Sequence, residues 1–251
     1  MTASRLGQNF LVNREVALRI AGLVPADDSP LLEIGAGRGA LSEHLPVLFP
    51  GRPLVLLEKD PGLAAELQHS FPKKAQVLNQ DVLDCDPGQL FPGRTVSLLG
   101  NLPYYLSREI IDWVISRRQF IRQGVFMVQR EFRRKLSSGL NAQGVFFNTL
   151  FSLQNHFSIS PGSFAPPPRV FSEVFSFQTR PESAADVSHD YYSFLKLAFS
   201  QRRKTLLNNL NRRFSPDTIR QAVTSQGFAV NCRAEQLSGP ALLDIYRKLS
   251  G

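Results

Sequence analysis

Short apolar runs separated by stretches of helical length set the rhythm of the first two-thirds of the chain. Residues 31–34, 53–57, 75–78, 96–99 and 124–128 are mostly apolar and four or five residues long, and they read as strands. Between them, 39–49, 61–70 and 107–116 have the length and spacing of helices. This alternation predicts a βα-repeating, mostly parallel sheet of the doubly wound α/β kind. Segments 155–160 and 173–178 read as later strands and predict an antiparallel hairpin at the sheet edge. The intervening Gly162-Ser163-Phe164-Ala165-Pro166-Pro167-Pro168 is expected to be irregular, because three prolines fix φ and remove donors.

From 180 to 187 the composition turns small and polar (Pro181-Glu182-Ser183-Ala184-Ala185-Asp186), which marks a linker. Beyond it, 191–200, 204–212, 216–226 and 240–249 read as short helices. Pro216 and Pro240 sit in first turns behind the capping candidates Ser215 and Gly239. The predicted architecture is a sheet domain, 1–180, followed by a small all-helical domain, 188–251.

Composition narrows the class. A chain that is 43% hydrophobic and 20% charged is globular rather than disordered. No apolar run approaches the roughly 20 residues that span a bilayer, and Met1-Thr2-Ala3-Ser4-Arg5 lacks the apolar core of a secretory signal. Cys85 and Cys232, and the scattered His44, His69, His156 and His189, form no metal-ligand or disulfide pattern. The expectation is a soluble, cytoplasmic protein without a structural metal.

Charge adds a partner. The net charge is +8, and it is clustered. Residues 114–135 carry Arg117, Arg118, Arg122, Arg130, Arg133, Arg134 and Lys135 against Glu131. Arg202-Arg203-Lys204 forms a second knot, followed by Arg212 and Arg213. One such cluster is often a solvated helix face; two, flanking the motifs described next, favour a polyanion.

The first strand runs into Glu33-Ile34-Gly35-Ala36-Gly37-Arg38-Gly39-Ala40. Glycines there permit a tight turn and let a ligand lie against bare peptide groups. Gly35-x-Gly37-x-x-Ala40, with Glu58 at the ribose position, also satisfies a dinucleotide fingerprint, so the loop itself implies a nucleoside-containing ligand without naming it. Two features favour S-adenosylmethionine over NAD. Gly39 falls early, which suits a ligand presenting an amino acid rather than a pyrophosphate. Asp81, at the end of the third strand, is placed to accept from an adenine amine, although an Asx turn is its plainer role.

Gly100-Asn101-Leu102-Pro103-Tyr104 follows the fourth strand, at the edge where open α/β sheets bind substrates. The set suits methyl transfer to an adenine N6 amine, whose lone pair is delocalised into the ring. Two acceptors holding both N–H bonds turn that lone pair toward a methyl sulfonium. Asn101 offers its side-chain oxygen, Leu102 a carbonyl, Pro103 stiffness and Tyr104 a stacking face worth about 1–3 kcal/mol. The aminium product loses its proton unaided. Phe164, on its proline-stiffened loop, is expected to form a second aromatic wall, with packing beneath the loop as the alternative.

With these residues in place the chain resembles the KsgA-type ribosomal RNA adenine dimethyltransferases. Gly7-Gln8-Asn9-Phe10-Leu11 is similar to that family's N-terminal motif. The glycine loop, Glu58, Asp81, 101–104 and 164–172 fall in its order and spacing. Further matches are Gln129-Arg130-Glu131, 201–206 and Arg233-Ala234-Glu235, so the resemblance covers nearly the whole chain. It implies a class I Rossmann-like methyltransferase, active as a monomer, that transfers four methyl groups to two adjacent adenines of a small-subunit rRNA hairpin during ribosome assembly. By position, Gln8, Asn9 and Gly35 would contact the cofactor's methionine part and Glu58 its ribose hydroxyls, with Leu11, Gly37 and Lys59 as further cofactor contacts. Asp81 would contact the adenine amine, Val82 and Asn101 would be further cofactor contacts, and Asn101 with Tyr104 would also hold the target base. Arg117, Arg118, Arg133, Arg134, Arg202, Arg203 and Lys204 are the RNA-contact candidates. The chain departs from the pattern at Ala36 and Ser42, and through 141–147, which is unusually aromatic. Rival readings are a large-subunit rRNA adenine methylase of the antibiotic-resistance type, a catalytically retired nucleic-acid-binding factor, and a dehydrogenase, for which no catalytic base is evident.

Overall fold

A computed structural model describes residues 9–180 and 189–250. The chain divides into two compact units, 1–133 with 153–179, and 134–152 with 180–251. The predicted linker at 181–187 and the start of the predicted second domain at 188 lie outside the described residues.

In the first unit, β1 (Phe10–Leu11) leads into α1 (Arg14–Ala21), started by Asn13, whose side chain accepts from the Val16 N–H. The parallel strands follow as β2 (Leu31–Ile34), β3 (Leu54–Glu58), β4 (Gln76–Asn79), β5 (Val96–Asn101) and β6 (Ile121–Gln129). Between them lie the four-residue helices α2 (Leu45–Leu48) and α4 (Pro87–Leu90) and the longer α3 (Pro61–Ser70) and α5 (Ser107–Ser116). Asp60 caps α3 by accepting from Gly62 and Leu63 N–H, with Pro61 in its first turn.

The helix expected over 39–49 contracts to α2, with turns from 41 to 44. Pro46 has no N–H to continue an α-helical ladder, and the preceding turns close through shorter bonds, His44 to Leu41 and Leu45 to Ser42.

α6 (Arg130–Ser137), α7 (Ala142–Leu150), β7 (Phe151–Ile159), β8 (Phe164–Ala165) and β9 (Ser172–Thr179) complete the middle of the chain. The large sheet has the order β4-β3-β2-β5-β6-β9-β7, parallel from β4 through β6, with β9 antiparallel to β6. The expected class is therefore observed, with the late strands at the sheet edge. β1 and β8 form a separate antiparallel pair, Leu11 opposite Phe164, so the segment expected to be irregular holds a two-residue strand ahead of its prolines. The core packs Ile20, Leu31, Leu56, Leu99, Met127 and Phe164 in one cluster.

The second unit contains α8 (His189–Ala198), α9 (Leu206–Leu210), α10 (Pro216–Thr224) and α11 (Gly239–Ser250). Ser215 caps α10 through the Thr218 N–H, as its sequence suggests. Gly239 instead lies inside α11, and the capping hydroxyl is that of Ser238, accepting from Ala241 N–H. This unit also takes in α7, which the domain boundary expected near 180 would place with the sheet. The reason is aromatic. Phe146 and Phe147 are fully buried, and Phe146 stacks on Tyr192 at 4.7 Å and 15°. Such a pair stabilises by about 0.5–1.5 kcal/mol beyond its buried area. The departure at 141–147 is thus packing: Asn141 caps α7 through Gly144 N–H, and the phenylalanines fill the unit's core.

Candidate active site

Because β2 to β5 run parallel, their carboxyl ends share one edge, with Ile34 opposite Leu57 and Glu58 opposite Asn79. The chain leaves β2 toward β3 on one side and returns to β5 on the other, the switch point at which open α/β sheets form a crevice. A cleft there encloses about 1070 Å³ of empty space, part of it open to solvent. Its lining includes Asn9, Leu11, Gly35, Gly37, Glu58, Lys59, Asp81, Val82, Asn101, Leu102, Pro103 and Tyr104. Twelve positions expected at the site from sequence thus converge in one place. Gln8 lies outside the described residues.

The glycine loop takes its shape from positive φ at Gly35 (65°), Gly37 (58°) and Gly39 (80°), where a side chain would be strained. Gly37 donates its N–H to Glu58 Oε2 at 2.8 Å, and Asp60 donates to Oε1 at 2.9 Å. Each carboxylate oxygen has a second lone pair, so buried Glu58 retains capacity for two further donors. Asp81 does two jobs: Oδ1 accepts from Leu83 N–H in the Asx turn that is its plainer role, and Oδ2 pairs with Lys59 Nζ at 2.7 Å. Partial burial pushes the Asp81 carboxyl up, but the Lys59 bond and charge and the Leu83 N–H outweigh it and hold it below its ordinary value.

Glu33 opens the glycine-loop motif, but the sequence assigns it no role of its own. It is fully buried at the foot of the loop, accepts from Ser42 Oγ at 2.7 Å, and also lines the cleft. Burial pushes its carboxyl up to about 8; the Ser42 bond opposes this and the nearby Glu58 charge adds to it. Phe10, Arg38 and Tyr105 line the cleft as well. Tyr105, 55% exposed directly after the Asn-Leu-Pro-Tyr run, is readable from its position alone.

On β5, Asn101 donates from Nδ2 to the Asn9 carbonyl at 3.3 Å, which leaves Oδ1 as the acceptor. Leu102 N–H is bonded to Met127 O, and Leu106 N–H and Ser107 Oγ occupy the Pro103 carbonyl. No bond reaches the Leu102 carbonyl among the described residues. Tyr104 Oη lies 2.7 Å from Ser172 Oγ, which fixes the ring. Burial raises the Tyr104 hydroxyl above its usual range, against the Ser172 bond, so it stays neutral.

Phe164 corrects an expectation. At 4% exposure it packs in the core through the β1–β8 pair and does not line the cleft. Three candidate RNA residues lie away from the cleft or in an ion pair. Arg133 is 16% exposed and bonded to Glu173, which is 6% exposed. Arg117 and Arg118 follow α5, which runs back along the sheet. They precede Ile121, which pairs with Val96 at the ends of the strands away from the cleft. Arg134, Arg202, Arg203 and Lys204 are exposed, with Arg202 3.7 Å from Glu235. No described helix is long and apolar enough to cross a membrane.

The family model described as ribosomal RNA adenine dimethylase matches residues 2–250. Among similar curated proteins, the ribosomal RNA small subunit methyltransferase A of Acidobacterium capsulatum is 34% identical, over 98% of this chain and 90% of that one. The protein of the same name from Koribacter versatilis is 32% identical over 98% and 94%. The 23S rRNA methyltransferase ErmE shares the fold at a TM-score of 0.77, with 24% identity over 97% of this chain and 100% of that one. A dimethyladenosine transferase from Plasmodium falciparum does so at 0.76, with 19% identity over 95% and 98%.

Proposed function

This chain belongs to the ribosomal RNA adenine dimethylase family, and from that premise we propose that it dimethylates N6 of two adjacent adenines in a small-subunit rRNA hairpin, using S-adenosylmethionine. The cofactor fits the residues present. Bare peptide at Gly35 and Gly37 faces the cleft, Glu58 has two lone pairs for ribose hydroxyls, and Asp81 and Val82 stand at the adenine end. When bound, S-adenosylmethionine supplies a methyl carbon made electrophilic by its sulfonium.

The rest is done by the chain. In the first transfer Asn101 Oδ1 accepts one N6–H and the Leu102 carbonyl the other, which turns the amine lone pair toward the methyl carbon; the methylated aminium releases a proton to solvent, and the remaining N6–H keeps one of these acceptors for the second. Tyr104 offers its ring to the extruded base, at about 1–3 kcal/mol, and so offsets the few kcal/mol of unstacking. Leu11 and Ile110 close the apolar side of the cleft. Glu33 positions the glycine loop through Ser42.

The observation that carries this reading is the anchoring of Asn101 Nδ2 on the Asn9 carbonyl, which commits the side-chain oxygen to acceptance. The test is incubation with tritiated S-adenosylmethionine and undermethylated small subunits, large subunits or naked rRNA, followed by nucleoside analysis. Label in dimethyladenosine from small subunits is the expected result. Label confined to large-subunit rRNA would move the activity to the resistance type, and no label despite cofactor binding would leave a retired scaffold.

A further inference from the structure

The loop that buries Phe164 leaves a different aromatic ring outside. After Pro166, Pro167 and Pro168, the residues Arg169, Val170 and Phe171 are exposed, the last two at 44%. The Arg130 guanidinium lies over the Phe171 ring at 4.4 Å from its centroid, and Arg130 N–H donates to the Phe171 carbonyl at 3.0 Å. Arg130 also forms an ion pair with the buried Glu173 carboxylate, Nε lying 3.3 Å from Oε1 without a hydrogen bond between them. One face of the ring is therefore covered by a paired cation, while much of the ring remains open to solvent. Prolines and ion pair together fix the ring, so a ligand meeting it finds little side-chain entropy left to lose.

The next residue ties this ring to the cleft. Ser172 is buried and bonds Tyr104 Oη at 2.7 Å, and it pairs with Gln129 across β6 and β9. Ser172, the first residue of β9, is buried, whereas Phe171 just before it is exposed. Arg169, two residues earlier, is an exposed cation with no partner among the described residues. Aromatic faces and guanidinium planes are what unstacked bases of single-stranded RNA pack against, and a free cation beside them suits a phosphate.

We propose that Phe171, backed by Arg130, is a stacking platform for a nucleobase flanking the target adenine, with Arg169 on the adjoining phosphate. The proposal rests on the RNA methylation reading and adds a substrate-recognition site to it. An apolar protein partner is disfavoured, because two cations border the ring.

The test combines two measurements. Tritium transfer by the wild-type enzyme to small subunits establishes the underlying reading, and its absence would sink that reading first. Equilibrium binding then compares wild type, Phe171→Ala, Phe171→Leu and Phe171→Trp on an rRNA hairpin. The same proteins are measured on two versions of it, abasic at either neighbour of the target. Phe171→Ala is expected to weaken the intact hairpin by roughly tenfold, in line with the loss of one stacked base. It should leave S-adenosylmethionine affinity unchanged and show no further defect on one of the abasic hairpins. Tryptophan should restore binding and leucine should not. Equal defects on all three RNAs, rescue by leucine, or no defect at all would overturn the platform.

Discussion

Asn101 binds the Asn9 carbonyl through its nitrogen and offers its oxygen to the substrate, so truncation separates two functions. Asn101→Ala removes the acceptor while Gly35, Glu58 and Asp81 keep their places. The rate constant kcat should fall by roughly 10²–10³, the usual loss for one preorganised hydrogen-bond partner, with the calorimetric affinity for S-adenosylmethionine close to wild type. Parallel loss of cofactor binding would reassign Asn101 to the cofactor. Glu33 makes a prediction about stability. Its carboxyl titrates at 4.5 when unperturbed and at about 8 in the fold, with burial as the main cause. Between those values the folded state keeps a proton that the unfolded chain has released. The stability this contributes is complete below 4.5 and drains away as pH rises to about 8, by at most about 1.4 kcal/mol per pH unit. Urea unfolding of wild type and Glu33→Gln at about pH 5 and about pH 8 checks the sign. Wild type should lose ground to the variant on going alkaline, and pH-independent differences would refute the buried proton.

α7 shows how one element can turn on a single close backbone approach. A Cβ on Gly144 would meet the Leu136 carbonyl oxygen at 2.8 Å and that of Lys135 at 3.0 Å, both backbone atoms that cannot swing aside. Alanine would gain about 0.5–1 kcal/mol of helix propensity. Overpacking against backbone costs about 1–3 kcal/mol, so the clash wins. Gly144→Ala should lower Tm, and an unchanged or raised Tm would show that α7 can shift outward. Legibility in the sequence follows the range of the interactions. The glycine loop, Asp60–Pro61 at α3, Ser215–Pro216 at α10 and the Asn-Leu-Pro-Tyr turn are specified within a few residues, and each lies where the pattern places it. The burial of Phe164 escapes a local reading because it depends on pairing with Leu11, far off in sequence. α6 is hard to see because its surface is nearly all charge, and α7 because its apolar positions surround the helix rather than striping it. The Asn13 and Asn141 caps are local signals from which α1 and α7 could be read.

At the scale of the whole molecule, a net charge of +8 says that a polyanion is favoured but not where it lies. The two clusters read from the sequence have different fates. Arg117 and Arg118 stand at the strand edge away from the cleft, and Arg133 is committed to Glu173. Arg202, Arg203, Lys204, Arg212 and Arg213 are exposed on the second unit, and the Arg202–Glu235 pair is long and mostly solvated. Each phosphate neutralised by such a cation releases a counterion, so the slope of log K against log salt reports how many are engaged. Reversing Arg203 and Lys204 together should weaken binding to rRNA and reduce that slope by roughly 0.7–0.9 for each phosphate no longer neutralised. The same reversal at Arg117 and Arg118 should leave the slope alone, since the cleft opens at the other edge of the sheet. A slope that responds to Arg117 and Arg118 but not to Arg203 and Lys204 would mean that the RNA wraps the face behind the sheet, and the second unit would then need another role.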